Sequence, residues 1–211
     1  MIGAPMPDPQ VATSRTNPNV TVTHTGPVFR VERFAMACAD GSERVKDVVR
    51  HPGAVTVIAV RGDASAPGSA DASTLARTPS CTLVLVRNRR VAVDRWLLEF
   101  CAGKLERGED PAAAAGRELE EETGYSAGRI EKLGAFFTSP GFTDEIMHVF
   151  LATELRPVPQ RLEPGEEIEV VELDEATLRA AIAAGEILDG KTLGAYLLWS
   201  MKRATGHGGG A

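Results

Sequence analysis

Cysteine is scarce in this chain. Cys38, Cys81 and Cys101 are odd in number and none stands in a C-x-x-C pair, so they build neither a disulfide framework nor a zinc knuckle. Histidine is scarce too: His24, His51, His148 and His207 are scattered and supply no metal-binding cluster. Basic charge is in deficit, with 23 Lys and Arg against 29 Asp and Glu, 23 − 29 = −6. That balance argues against sequence-independent nucleic-acid binding, which relies on a basic face. No apolar run approaches the roughly 20 residues of a membrane span. The first residues, MIGAPMPDPQVATSRTNPN, lack the basic start and apolar stretch of a signal peptide. Gly and Pro, 21 and 13, are too few and too irregularly spaced for a collagen-like or wholly disordered chain. The expectation is a cytoplasmic protein with reduced thiols and no nucleic-acid or membrane partner.

What is present is a globular composition: 43% hydrophobic and 25% charged over 211 residues, enough for one domain with arms. Residues 1–19 carry no apolar period and read as a loose arm. Residues 20–49 read as an N-terminal β-region, 50–204 as the main domain and 205–211 as a flexible tail. Ala54–Val60 is a continuous, largely β-branched run, as in a strand buried on both faces. A small and polar insertion follows, up to Ser80. Strands are then expected at Cys81–Val86, Trp96–Phe100, Lys132–Phe137, Ile146–Leu155 and Ile168–Leu173. Asp110-Pro111 announces a helix, an acidic cap followed by proline at the first helical position, and Gly124 ends it. Two more helices are expected, Glu175–Ala184 and about Thr192–Arg203. In the last, Leu193, Leu197 and Met201 recur on one face, with Trp199 alongside.

The chemistry concentrates between residues 103 and 125. Glu118, Glu121 and Glu122 stand in i, i+3, i+4 relation and share one helix face. Carboxylates stacked there repel one another unless a cation sits among them. Arg117, four residues before Glu121, offsets only part of that charge. Oxygen-only ligands point to a hard cation, Mg²⁺ or Mn²⁺, and not to zinc. By itself the run RELEEE is also what a solvated acidic helix face shows. The flanks decide between the readings. Gly103, Glu109, Arg117, Glu118, Leu119, Glu121, Glu122, Gly124 and Tyr125 fill every specified position of G-x5-E-x7-R-E-U-x-E-E-x-G-U, where U is bulky and apolar.

That pattern is the Nudix box, and the chain resembles the Nudix hydrolase superfamily. The resemblance implies an α/β (α+β) fold, an α/β/α sandwich around a mixed β-sheet, here with an additional N-terminal β-region. It implies Mg²⁺, with Mn²⁺ as a substitute, held principally by Glu118 and Glu122, with Glu121 in the cluster and the backbone carbonyl of Ala102 completing the site. Glu109 and Arg117 would brace the loop against the helix, and Gly103 and Gly124 would allow two tight turns. Glu120 would face solvent.

A second signature, Ser139-Pro140-Gly141-Phe142-Thr143-Asp144-Glu145, lies with Pro140 sixteen positions beyond Gly124. It is similar to the loop of the ADP-ribose pyrophosphatase subgroup, though Pro-Gly also makes a plain turn between strands. The resemblance gives Glu145 the role of positioning or deprotonating the attacking water, with Asp144 as the alternative. Upstream, Arg90 resembles a phosphate-binding arginine, Arg50 a second phosphate contact, and Glu99 a residue of substrate or metal binding; Gly141 joins the substrate group. The chain departs from the subgroup at Cys101, where proline is usual, and at Asn88, where glutamine is common. The resemblance further implies a homodimer in which residues 20–49 pack on or exchange with the partner. Phe29 and Phe34 are expected in the core of a local sheet, the other reading being a face for adenine.

The implied activity is Mg²⁺-dependent hydrolysis of the pyrophosphate bond of ADP-ribose to AMP and ribose 5-phosphate. The alternatives are a pyrophosphatase for another nucleoside diphosphate sugar, such as GDP-mannose, and a non-catalytic ADP-ribose-sensing Nudix domain. The last is disfavoured because sensors lose box glutamates, and this chain keeps them all.

Overall fold

The structure is a computed structural model and describes residues 19–62 and 81–206. The N-terminal arm but for Asn19, nearly all of the insertion before Ser80, and His207 with the rest of the tail lie outside the described residues. By contact the chain divides into two compact units. One comprises the residues up to Pro52 together with Phe137–Ile146, the other Gly53–Phe136 and Met147–Ala211.

The first unit holds a three-stranded antiparallel sheet in the order β1 (Val20–Thr25), β2 (Arg30–Ala37), β3 (Glu43–Arg50). The register pairs Arg30 with Arg50 and Phe34 with Lys46. Arg33 grips Asp47 through two hydrogen bonds of 2.8 Å, an exposed cross-strand pair. Val49 bridges Thr143 in parallel, which ties the Ser139–Glu145 turn to β3. Phe29 is 42% exposed and Phe34 only half-buried. The expectation that both are core is therefore corrected: this sheet is too thin and polar to enclose a ring.

The second unit is built on a seven-stranded mixed sheet. Its main path is β10 (Ile168–Asp174), β5 (Thr82–Arg90), β4 (Ala54–Arg61), β9 (Ile146–Pro157), β8 (Tyr125–Phe137); β6 (Arg95–Glu99) pairs with β5 and β7 (Cys101–Lys104) with β4. The β4–β9 pair is parallel and the β4–β5, β5–β10, β5–β6 and β4–β7 pairs are antiparallel. β4 is buried from Ala54 to Val60 because both of its faces are covered. Val55, Val57 and Ala59 face Ala114, Ala115 and Leu119 of helix α1 (Pro111–Thr123). Ile58 and Val60 face Leu178 of α2 (Glu175–Ala183) and Ala195 and Trp199 of α3 (Gly190–Gly206). Helices on both faces of a mixed sheet make the sandwich.

Several boundaries differ from the sequence reading, and β5, expected to end at Val86, runs on to Arg90. The strand expected at Trp96–Phe100 is β6, which ends at Glu99; after a break at Phe100 the chain re-enters the sheet as β7, paired with β4 and not β5. β8 begins at Tyr125, directly after the glycine that ends α1, and not at Lys132. The apolar stripe of α3 is also corrected. Leu193, Leu197 and Met201 are 38%, 57% and 59% exposed. The buried face is Thr192, Ala195 and Trp199, where the small alanine lets the helix approach the sheet. The helix continues to Gly206, past the expected start of the tail.

Candidate active site

Helix α1 is set by its ends. Asp110 accepts from the N–H groups of Ala112 and Ala113 at 2.9 and 3.2 Å, satisfying donors that a first turn otherwise leaves open, and Pro111 has no N–H to satisfy. Gly124, at φ 69°, takes the left-handed conformation that closes the helix and returns its N–H to the Glu120 carbonyl at 3.1 Å. The carbonyls of Glu121 and Glu122 are in turn held by the Arg161 N–H at 3.0 Å and the Gln160 side chain at 2.6 Å. With Ala114, Ala115 and Leu119 packed on the sheet, the flank carrying Glu118 and Glu122 is forced against β7.

Gly103 lies on β7, within strand and not in a turn, which corrects its expected role. A Cβ there would stand 1.9 Å from Cδ of Glu118 and 2.0 and 2.2 Å from its two oxygens. Glycine is needed because a carboxylate occupies the space of a side chain. The loop after β7 turns instead at Gly108, at φ 77°.

Arg117 organises the acidic side chains. It forks onto Glu109 through Nε and Nη2 at 2.9 and 3.0 Å, and its Nη1 donates to Glu118 and Glu121 at 2.8 and 3.1 Å. Its Nη2 also reaches the Lys104 carbonyl at 3.3 Å. The guanidinium beside Glu109 keeps that carboxyl below its ordinary value. Glu122, only 3% exposed, accepts the Ala102 N–H at 3.0 Å. Burial pushes Glu122 up to about 8, with the charges of Glu118 and Glu166 adding to the effect; burial raises Glu118 in the same direction. Glu120 is part-exposed and lies 3.7 Å from Arg161.

Among the described residues no three His, Cys, Asp or Glu side chains stand together so as to hold a metal ion as they are placed. Glu118 and Glu121 share Arg117, and Glu122 is turned to Ala102. The donor set nevertheless fits a hard divalent cation. It offers only oxygens, two of its carboxylates are buried in a place that disfavours their charge, and β7 gives up a side chain to admit one of them.

Arg90 and Glu99 do come together, but on each other. Arg90 donates to both oxygens of Glu99 at 2.9 and 2.6 Å, and Glu99 is 1% exposed. Glu99 thus presents no open carboxylate; what it does for a ligand runs through Arg90.

In the first unit, Arg50 donates to Glu32 at 2.7 Å and to Asp144 at 3.0 Å, with its guanidinium 5.3 Å from the centre of the Phe34 ring. Asp144 also accepts the His51 N–H at 2.9 Å, so it clamps the turn to the end of β3. Glu145 accepts from the Thr138 hydroxyl at 2.6 Å and lies 3.6 Å from Nδ1 of His51. Gly141 sits in the Ser139–Thr143 turn with open space where a Cβ would be.

Two groups escaped the sequence reading. Glu166 precedes β10 and its charge reaches both Glu118 and Glu122. Lys191, at the start of α3, donates to Glu99 and to Asp189, the residue just before the helix. Neither belongs to a motif, and the contacts join residues far apart in the chain.

Comparison with known proteins agrees with this construction. The family model of the NUDIX domain matches residues 70–190. The chain is 40% identical to the ADP-ribose pyrophosphatase of Bacillus subtilis over 78% of its own length and 81% of that protein's. It is 36% identical to the methanol dehydrogenase activator of Bacillus methanolicus over 87% and 91%. A GDP-mannose pyrophosphatase of Klebsiella pneumoniae is 40% identical over 53% of this chain and 61% of its own. The crystal structure of an ADP compounds hydrolase shares the fold, with a TM-score of 0.69 at 22% identity, covering 90% of this chain and 94% of that one. With its box complete and its sandwich in place, the chain belongs to the Nudix hydrolase family.

Proposed function

We propose that this protein hydrolyses the pyrophosphate bond of ADP-ribose, giving AMP and ribose 5-phosphate, in the presence of Mg²⁺ or, in its stead, Mn²⁺. The observation that carries the reading is the pair of buried carboxylates, Glu118 and Glu122, pressed against a strand that has no side chain at Gly103. ADP-ribose as the substrate is supported by 40% identity to an ADP-ribose pyrophosphatase over most of both chains.

Glu118 and Glu122 would hold the metal with Glu121 and the Ala102 carbonyl. When bound, a divalent cation neutralises phosphate oxygens and lowers the pKa of water. The remaining work belongs to the chain. Arg117 and Glu109 fix the loop over the helix. Arg90, aligned by Glu99, offers a planar cation to a diphosphate, and Arg50 a second one. Gly141 leaves room for substrate on the turn. Glu145 orients or deprotonates the attacking water. A second reading gives that task to Glu166, favoured by its electrostatic reach to the two buried carboxylates.

The protein acts as a cytoplasmic homodimer with residues 20–49 at the interface. No helix among the described residues is long and apolar enough to cross a membrane, and Cys38, Cys81 and Cys101 are free thiols. GDP-mannose is the alternative substrate, raised by the relatives that match about half of this chain. Release of nucleoside monophosphate from ADP-ribose, GDP-mannose and other nucleoside diphosphate sugars, compared by kcat/KM, decides between them. ADP-ribose is expected to lead; a higher value for GDP-mannose would reassign the substrate.

A further inference from the structure

Beside the box lies a second group of charged side chains, of which the proposed reaction uses Arg90 and Glu99 and leaves Lys191 and Asp189 without a task. Glu99 is 1% exposed and Asp189 8% exposed. Oε2 of Glu99 accepts from Nη2 of Arg90 at 2.6 Å and from Nζ of Lys191 at 3.3 Å. Lys191 also donates to Asp189 at 2.5 Å. The other oxygen of Asp189 accepts the Thr192 N–H and hydroxyl at 2.9 and 2.8 Å, and the Thr192 hydroxyl accepts the Phe100 N–H at 3.0 Å. The first turn of α3 is thus locked to the end of β6, with Lys191 held between two buried carboxylates.

Packing alone does not require this arrangement, since removing two charges from water is costly and an apolar contact serves stability as well. Its consequence is electrostatic. Arg90 and Lys191 balance Glu99 and Asp189, so the group is neutral as a whole. Glu99 uses Nε and Nη2 of Arg90, leaving Nη1 outside the fork. Without Lys191 the group would carry one net negative charge. Glu99 would then hold Arg90 as its sole cation among these bonds, and an approaching anion would meet repulsion.

We infer that Lys191 is a positioning residue for the substrate diphosphate: through Glu99 it keeps Arg90 oriented and electrostatically available. The inference rests on the reading of Arg90 as a phosphate contact. Lys191 itself touches Glu99 and Asp189, not the reacting atoms.

The test is steady-state kinetics on the full chain with ADP-ribose and Mg²⁺, together with the thermal midpoint of each variant. Lys191→Met should raise KM about tenfold while kcat changes less than about threefold, the signature of lost ground-state binding. Lys191→Arg should restore most of the affinity. Lys191→Gln keeps a hydrogen bond but loses the charge, and should behave like Lys191→Met; it carries the test if the methionine variant does not fold. Arg90→Ala should raise KM as well, and adding Lys191→Met to it should change KM by less than about twofold, because both act at one place. A folded Lys191→Met or Lys191→Gln enzyme with normal KM, or effects that multiply in the double variant, would overturn the inference and leave the function intact. Normal KM in Arg90→Ala would overturn the phosphate reading of Arg90 and this inference with it. No hydrolysis by the wild type would overturn the proposed function.

Discussion

Replacing Gly103 by alanine separates the site's chemistry from the fold's stability. A methyl group there would lie 1.9–2.2 Å from the three carboxyl atoms of Glu118. Ordinary contact begins at 3.4 Å, so the carboxylate must retreat by more than about 1 Å, and a misplacement of that size can cost roughly 10²-fold in rate. Retreat also breaks the 2.8 Å bond from Arg117. The atoms that yield are the end of a flexible side chain, and alanine is at ease in a strand, so the backbone has no reason to move. The expected result is a fall in kcat/KM of about 10²-fold or more, a higher Mg²⁺ requirement and a nearly unchanged melting midpoint. AMP release across a Mg²⁺ titration, with circular dichroism melts alongside, reads both. Wild-type kcat/KM in a folded Gly103→Ala enzyme would show that the position of Glu118 does not matter, and the metal assignment built on it would fail.

Other outcomes follow from the same contacts. Glu122 is raised to about 8 in the fold from an ordinary 4.5, so its contribution to stability is present below about pH 4.5 and lost as pH rises through about 8. Metal-free wild type should therefore melt at falling temperature across that window, Glu122→Gln should flatten the profile, and Mg²⁺ should stabilise the wild type more at the alkaline end; scanning fluorimetry checks all three. Trp199→Ala should cost about 3–5 kcal/mol in denaturant unfolding, since it empties a site that is 1% exposed. Deleting residues 1–49 should abolish dimerisation and substrate binding together, and an active monomer by light scattering would show that each subunit builds its own pocket. Whichever of Glu145→Gln and Glu166→Gln lowers kcat by orders of magnitude with KM and Mg²⁺ requirement unchanged carries the base; a parallel rise in Mg²⁺ requirement marks a ligand instead.

What could be read before the structure was local. Asp110, Pro111 and Gly124 delimit α1 because caps act within a few residues of themselves. The largely β-branched run of β4 announces a strand covered on both faces. Longer β8 has no such signature: half-buried along most of its length, it alternates too weakly to betray its start at Tyr125. The reason for Gly103 could not be read either, because it is the side chain of a residue on another element. Lys191 and Glu99 stand 92 positions apart, and the charge of Glu166 reaches the box through space. α3 misled for a different reason. Leu193, Leu197 and Met201 lie on its exposed face, while the buried one carries Thr192, the small Ala195 and Trp199.

The most direct test of the account is product analysis of ADP-ribose hydrolysis by wild type and by Glu122→Gln, each with Mg²⁺ and with a chelator. The account predicts AMP and ribose 5-phosphate in equal amounts from the wild type with Mg²⁺. It predicts near-complete loss on chelation, and a loss of orders of magnitude in a Glu122→Gln protein that folds normally. Intact ADP-ribose in the wild-type reaction, or cleavage that survives both the chelator and the substitution, would contradict it.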